Sequence, residues 1–343
     1  MRAQTKIALL AGLIAATCLP AVVSAQTANR FGTLEEQAQA SWRENMAHIA
    51  TPSEGCFEAT YPSVIWHQSA CHQLTPRVAP VPRFKLFNRG AAQTAGNGND
   101  YTIQTSTLIT QAVGTFPSVT GVTSEKGVGV AAYGGGGILG PNEYSLQINS
   151  SFDDTTSACK GHSGCTVWQQ FVYAPDYEVQ GSAAVFMQYW LIGYGGSSCP
   201  SGFGSDGAGD CYKNSAAATA PDVPATQLAN VKLTGTATAG GNDTVVFTNG
   251  TKAYSSSGKD SVLYLAQVWK VGEFNVVGNA GGSEAQFNSG SSITVKLAVT
   301  DGSTAVPSCV ANSGSTGESN NLNLGPCTAS GGSNPSIQFT ESN

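Results

Sequence analysis

Charge is scarce in this chain. Only 11% of its 343 residues are charged, against about a quarter in an average domain. The 16 basic residues are outnumbered by 22 acidic ones, for a net charge of −6. No basic stripe exists to neutralise phosphates, so nucleic acid is not an expected partner. Histidine is equally rare: His48, His67, His72 and His162 are the four. A Ser-His-Asp triad would have to draw on His162, inside the short loop between Cys159 and Cys165. The sequence holds no G-x-S-x-G elbow and no H-E-x-x-H helix. A zinc site needs cysteines about two to four residues apart or histidine partners. Only His67, Cys71 and His72 come near that, so no metal and no cofactor is expected. Long apolar runs are missing after the first residues, and none reaches the roughly 20 residues of a membrane span. Helices do not alternate with strands, which excludes parallel α/β folds.

Glycine, serine, threonine and asparagine carry the polarity instead, with 41 Gly and 15 Pro. This is the composition of a secreted all-β protein with many tight turns. The opening residues agree. Arg2 and Lys6 precede an apolar stretch over 7–16, and Val23-Ser24-Ala25 forms a small-residue cleavage site before Gln26. Residues 1–25 therefore read as a signal peptide, and the expected location is extracellular or periplasmic.

Nine cysteines less Cys18 leave eight. In an oxidising compartment an even set implies disulfides. The eight fall in neighbouring twos: Cys56 with Cys71, Cys159 with Cys165, Cys199 with Cys211, Cys309 with Cys327. Sequential pairing would close four local loops.

Residues 26–97 differ from the rest. Thr33 and Glu36 form a capping-box signature for a helix running to His48, stopped by Pro52. A cysteine-closed loop and a Pro-rich run follow. The 91–100 stretch is rich in Gly and Asn and reads as a linker. This segment is read either as a pro-region removed on maturation or as a permanent extension. From residue 98 to 343 the chain reads as one β-sandwich domain. About ten strands are expected, including 101–112, 113–122, 127–133, 227–238, 243–249 and 293–299; 261–270 reads as a strand or an apolar segment. The tail from residue 300 shows little periodicity. The expected fold is a two-sheet antiparallel sandwich of jelly-roll or concanavalin A-like type.

The stretch 143–194 stands at the centre. Tyr144, Leu146 and Ile148 alternate with Ser145, Gln147 and Asn149. Two strands follow that are apolar on both faces, as expected for central strands covered on both sides. Gln169, Gln170 and Gln188 nevertheless sit inside them. An unpartnered amide there costs roughly 1–3 kcal/mol. Either the amides are satisfied inside the sandwich, or one side of the sheet is a polar groove lined by Trp168, Trp190 and Phe274. Acidic residues are few, so Glu143 at the start of a strand and Glu273 between Gly272 and Phe274 are the candidate chemical groups.

Trp168-Gln169-Gln170-Phe171-Val172, followed by Val185-Phe186-Met187-Gln188-Tyr189-Trp190, resembles the strand order of the secreted glutamic peptidases, the eqolisins and neprosin-like proteins. Eqolisins carry their catalytic glutamine in a Leu-Gln-Thr-Gly-Val strand and their catalytic glutamate in Ala-Glu-Trp-Ile-Val-Glu. Gly272-Glu273-Phe274-Asn275-Val276-Val277-Gly278 stands at a comparable place. Asp210-Cys211-Tyr212-Lys213-Asn214 is similar to the Gly-Cys-Tyr-Asn segment of neprosin-like proteins. The resemblance spans 143–299. It departs from the pattern in holding no second glutamate between Glu273 and Gly278, and at the neprosin strand glutamate, which falls on Gln169 or Gln170.

The resemblance implies an acid-active endopeptidase in which Glu273 activates water and Gln169 or Gln170 orients it, with Trp168, Gln188, Trp190, Phe274 and Glu143 lining the substrate groove. Its partner would be polypeptide, and the protein a monomer. Two other classes stay open. One is a lectin-like sandwich binding glycan through Trp and Tyr. The other is a glycoside hydrolase using Glu143 and Glu273, which needs its carboxyls about 5–9.5 Å apart.

Overall fold

A computed structural model describes residues 22–75, 94–195 and 198–343. The signal peptide reading falls on residues 1–25, of which 1–21 lie outside the described residues, as does the Pro-rich 76–93 run. The chain is all-β, built from two sheets in which nearly every pair is antiparallel. The smaller sheet runs Gly204–Ser205, Cys211–Asn214, Ser182–Ile192, Thr166–Ala174, Tyr144–Ser150, Val271–Gly278, Thr102–Gln104, Ser308–Val310. The larger sheet has 14 strands and includes Gln111–Thr120, Val231–Thr236, Asn242–Asn249, Ser292–Thr300 and Ser336–Ser342.

The main core fills the space between them. Leu146, Ile148, Phe171, Tyr189, Phe274 and Val276 from the smaller sheet meet Leu233, Val245, Phe247 and Leu297 from the larger one. Two glycines mark where the sheets come closest. A Cβ on Gly114 would lie 2.3 Å from the Phe274 ring, and one on Gly235 would lie 2.5 Å from the Phe171 ring. The aromatic rings occupy the volume those side chains would take.

All four expected disulfides are present, each closing a loop of 6 to 18 residues in sequence separation. Several local expectations are corrected. The helix does not begin at a Thr33 cap but runs Val22–His48. The 101–112 stretch breaks into Thr102–Gln104 and the start of Gln111–Thr120. Of the two readings of 261–270 the structure takes the apolar segment: it holds two 3₁₀ turns, Asp260–Val262 and Leu265–Gln267, with Leu263 and Trp269 buried outside them. The tail supplies four strands, Ser308–Val310, Ser319–Leu324, Thr328–Ser330 and Ser336–Ser342; the last pairs with nearby Thr328–Ser330 on one side and with Ser292–Thr300 on the other.

The N-terminal segment adds to the edges of both sheets. Gly55–Thr60 pairs with Lys252–Lys259, and Cys71–Gln73 pairs with Ala216–Pro221. The helix sets Trp42 and Met46 on Phe57, Trp66, Val246 and Ala253. Trp42 Nε1 donates to Ser63 O at 2.8 Å and Trp66 Nε1 to Ile49 O at 3.0 Å, so both indoles are buried with their N–H groups satisfied. Burying side chains of this size stabilises by about 1.5–3 kcal/mol each.

Candidate functional site

Strand register puts a polar row across the smaller sheet. Asn214 pairs with Gln188, Gln188 with Gln170, Gln170 with Asn149, and Asn149 with Glu273. Residues directly opposite in an antiparallel ladder project to the same face. These five therefore share the face turned away from the core. Two residues along, Tyr212, Trp190 and Trp168 share it as well, and so do Gln147 and Asn275. The alternation that sends Leu146 and Ile148 into the core is what places Gln147 and Asn149 here.

Apart from half-buried Asn214, the row is buried and hydrogen-bonded. Asn149 Nδ2 donates to Glu273 Oε2 and to Gln147 Oε1, each at 3.3 Å. Gln170 Nε2 donates to Gln147 Oε1 at 3.0 Å. The 313–318 segment lies over these groups. Ser315 donates to Glu273 Oε2 through its backbone N–H at 2.6 Å and through its Oγ at 3.0 Å. Thr316 Oγ1 lies 2.9 Å from Gln147 Oε1 and 2.6 Å from Glu318 Oε2, and Trp168 Nε1 donates to Ser315 Oγ at 2.9 Å. Glu273 is only 1% exposed beneath it.

A second carboxyl stands beside Glu273. Asp100 is fully buried, and its Oδ1 accepts from Gly96 N and Asn275 Nδ2, each at 2.9 Å. Burial and the neighbouring Glu273 carboxylate, to which its side chain is hydrogen-bonded, hold the Asp100 carboxyl well above the usual range. Asp100 Oδ2 and Glu273 Oε1 have no other partner. With its carboxyl held protonated to higher pH than usual, Asp100 carries an O–H donor beside Glu273. Asn275 also donates to Glu341, whose carboxyl burial pushes up to about 8. Among the described residues no lysine, arginine or histidine forms an ion pair with these carboxyls.

No family model and no curated protein matches the chain. Among solved structures it is similar to scytalido-glutamic peptidase bound to a peptide-based transition state analog. That match has 13% identity and a TM-score of 0.28, covering 70% of this chain and 98% of the other. It is also similar to SCP-B, a member of the eqolisin family of peptidases in complex with the tripeptide Ala-Ile-His, at 12% identity and a TM-score of 0.25, over 70% of this chain and 97% of the other. The likeness is a distant one. It assigns no role to any residue of this chain.

Of the residues singled out in the sequence, Glu273, Gln170, Gln188, Trp168 and Trp190 share one face of the sheet. Gln169 and Phe274 lie on the opposite face. Gln169 Nε2 donates to Asp243 Oδ2 at 2.9 Å across the core, and Phe274 packs on Phe116 and over Gly114. Consecutive strand residues cannot share a face, so only one of each adjacent pair could line the groove.

Glu143 sits just before the Tyr144–Ser150 strand, six residues from Asn149 and on the order of 20 Å away along its direction. Its partners are Asn279 and Asp176, and burial with the Asp176 carboxylate pushes it up to about 8. That separation is too long for a glycosidase pair with Glu273. Trp168 and Trp190 are 3% and 1% exposed, the latter stacked on Tyr212, so neither ring presents a face to a glycan.

Gln147 and Asn149 were readable from the strand alternation but were not singled out, because polar residues on an alternating strand also fit a solvated face. Asp100, Ser315 and Thr316 come from Gly/Ser/Asn-rich stretches with no local signal. Only the fold brings them to Glu273.

Proposed function

We propose that this chain is a secreted peptidase-like hydrolase that uses Glu273 and Gln170 to activate water against peptide bonds in acid. The observation that carries the reading is the register Gln170, Asn149, Glu273 on one face, with Asp100 beside the glutamate. In this scheme the Glu273 carboxylate takes a proton from water as the water oxygen adds to the scissile carbonyl carbon. The carbonyl oxygen becomes an oxyanion and accepts from the Gln170 amide, assisted by Asn149. The proton then passes to the departing amine nitrogen as the C–N bond breaks. Burial beside Glu273 keeps the Asp100 carboxyl protonated to higher pH than usual. A site that works only while one carboxyl stays protonated favours acidic solution.

The four disulfides suit an oxidising compartment. No helix among the described residues is long and apolar enough to cross a membrane. The test is cleavage of denatured casein from acidic to neutral pH. Cleavage is expected to be strongest in acid and unaffected by metal chelators or by serine- and thiol-directed reagents. Loss of cleavage on chelation, or on serine modification, would replace this reading with a metal or serine mechanism.

A further inference from the structure

The polar face carrying Glu273 is shut, and it is shut by the chain itself. The 313–318 segment sets a backbone N–H and a hydroxyl on Glu273, the kind of contact a bound polypeptide backbone could make. A backbone N–H, that of Ser315, points at Glu273 Oε2 from 2.6 Å. The Ser315 hydroxyl lies 3.0 Å from the same oxygen and 3.0 Å from Ser150 O. Gly314 passes so close that a Cβ there would lie 2.6 Å from Glu273 Oε1 and 2.9 Å from Asp100 Cβ. Thr316 then reaches Gln147, whose Oε1 also takes the Gln170 and Asn149 amide donors. Gly314, Ser315, Thr316 and Glu318 are all buried.

Both ends of the segment are held by the stretch that enters the sandwich from the N-terminal side. Ser313 N donates to Asp100 O at 3.3 Å, and Asn97 N donates to Glu318 O at 2.7 Å. The Cys309–Cys327 disulfide closes the loop from which the segment projects. A substrate cannot reach Glu273 Oε2 while Ser315 fills its hydrogen-bonding capacity on that side.

We propose that the 313–318 segment is a built-in, peptide-like inhibitor of this face, and that it must lift before a polypeptide can bind. The inference rests on the peptidase reading of Glu273. Its occupant chemistry is specific: a backbone N–H donor against the carboxylate, with no side chain at the residue nearest Glu273 Oε1. The competing ligand is therefore an unfolded polypeptide that offers a small residue at that point.

Two variants loosen the segment from different sides. Thr316→Val keeps the shape of the side chain and removes its hydroxyl contacts to Gln147 and Glu318. Gly314→Ala forces the backbone off Glu273. Both are made in the Glu273→Gln background, where the amide oxygen still accepts from Ser315, and binding of fluorescently labelled, reduced and alkylated casein is read by anisotropy. Hydrogen exchange over 313–318 reports whether the segment has loosened.

Faster exchange with affinity raised about 10-fold, the scale of losing one or two buried hydrogen bonds, is the expected result. Faster exchange with unchanged affinity overturns the proposal, and so does unchanged exchange in both variants. Where Glu273 is kept, the loosened proteins are expected to cleave casein faster than the parent. Tighter binding without cleavage in any of them would retain the inhibitory segment and refute the hydrolytic reading. Equal cleavage with equal binding would retain hydrolysis and remove the inhibitor.

Discussion

Replacing Glu125 with glutamine is expected to change how stability depends on pH. Glu125 is 3% exposed, and neither of its carboxylate oxygens has a hydrogen-bond partner. Burial, with the nearby Glu143 carboxylate, pushes its pKa from the ordinary 4.5 to about 8. The folded protein therefore holds a proton that the unfolded chain releases above about pH 4.5. In that window the native state binds more protons, so stability falls as pH rises, by about 1.4 kcal/mol per pH unit for one such group. The group's contribution is fully present below the unfolded pKa and is lost as pH rises through about 8.

From about pH 4.5 to 7.5 the loss comes to roughly 4 kcal/mol for Glu125 alone. Asp243 and Glu341, also pushed up to about 8 by burial, act in the same direction. Urea unfolding followed by tryptophan fluorescence at several pH values measures it. The glutamine amide lacks partners as well, so Glu125→Gln can carry a constant penalty; the difference in pH slope is the informative quantity. The variant is expected to lose less stability than the parent between acid and neutral pH, by up to about 4 kcal/mol. Parallel curves would refute the reasoning, since they would show that Glu125 ionises alike in the folded and unfolded chains.

Further outcomes follow from the same geometry. Gln170→Ala is expected to lower the cleavage rate by roughly 10²–10³-fold, as removal of an oxyanion donor does. Gln169→Ala, which strips Asp243 of its amide donor, is expected to cost about 1–3 kcal/mol in urea unfolding with little change in rate; the reverse pattern would exchange their roles. Asp100→Asn keeps a hydrogen-bond donor beside Glu273 but cannot ionise, so the upper pH limit of cleavage is expected to move upward; an unchanged profile would remove Asp100 from the site. Deleting the chain up to Thr75 takes Trp42, Met46, Phe57 and Trp66 off Val246 and Ala253. A fall in Tm is expected, whereas an unaltered Tm would mark a segment that can leave without loss.

The all-β class was legible because alternation is local. Tyr144, Leu146 and Ile148 announce both their strand and the face it buries, and four cysteine pairs announced themselves by spacing. Glu273 drew notice as a carboxylate in an apolar run. What decides the site is non-local. Whether Gln169 or Gln170 faces Glu273 depends on a register set across Tyr144–Ser150, and nothing within Trp168-Gln169-Gln170 reports it. Asp100 sits in a Gly/Asn-rich stretch indistinguishable from a linker, and Ser315 in a Gly/Ser-rich tail. Asp100 meets Asn275 across 175 residues and Ser315 meets Glu273 across 42, separations that no local window of sequence contains. The 261–270 stretch stayed open between a strand and an apolar segment for a local reason. Leu263, Leu265 and Trp269 are buried there without a strand, and a short apolar run does not separate a strand from another buried conformation.

The most direct test of the central claim compares cleavage of denatured casein in acid by the parent protein and by Glu273→Gln. The substitution preserves the size of the side chain and the acceptor for Ser315, and removes the carboxylate that takes the proton from water. Cleavage is expected to drop by about 10²–10⁴-fold, the usual loss with a general base, while the urea midpoint stays close to that of the parent. Cleavage at the parental rate by folded Glu273→Gln would contradict the assignment of Glu273 as the base.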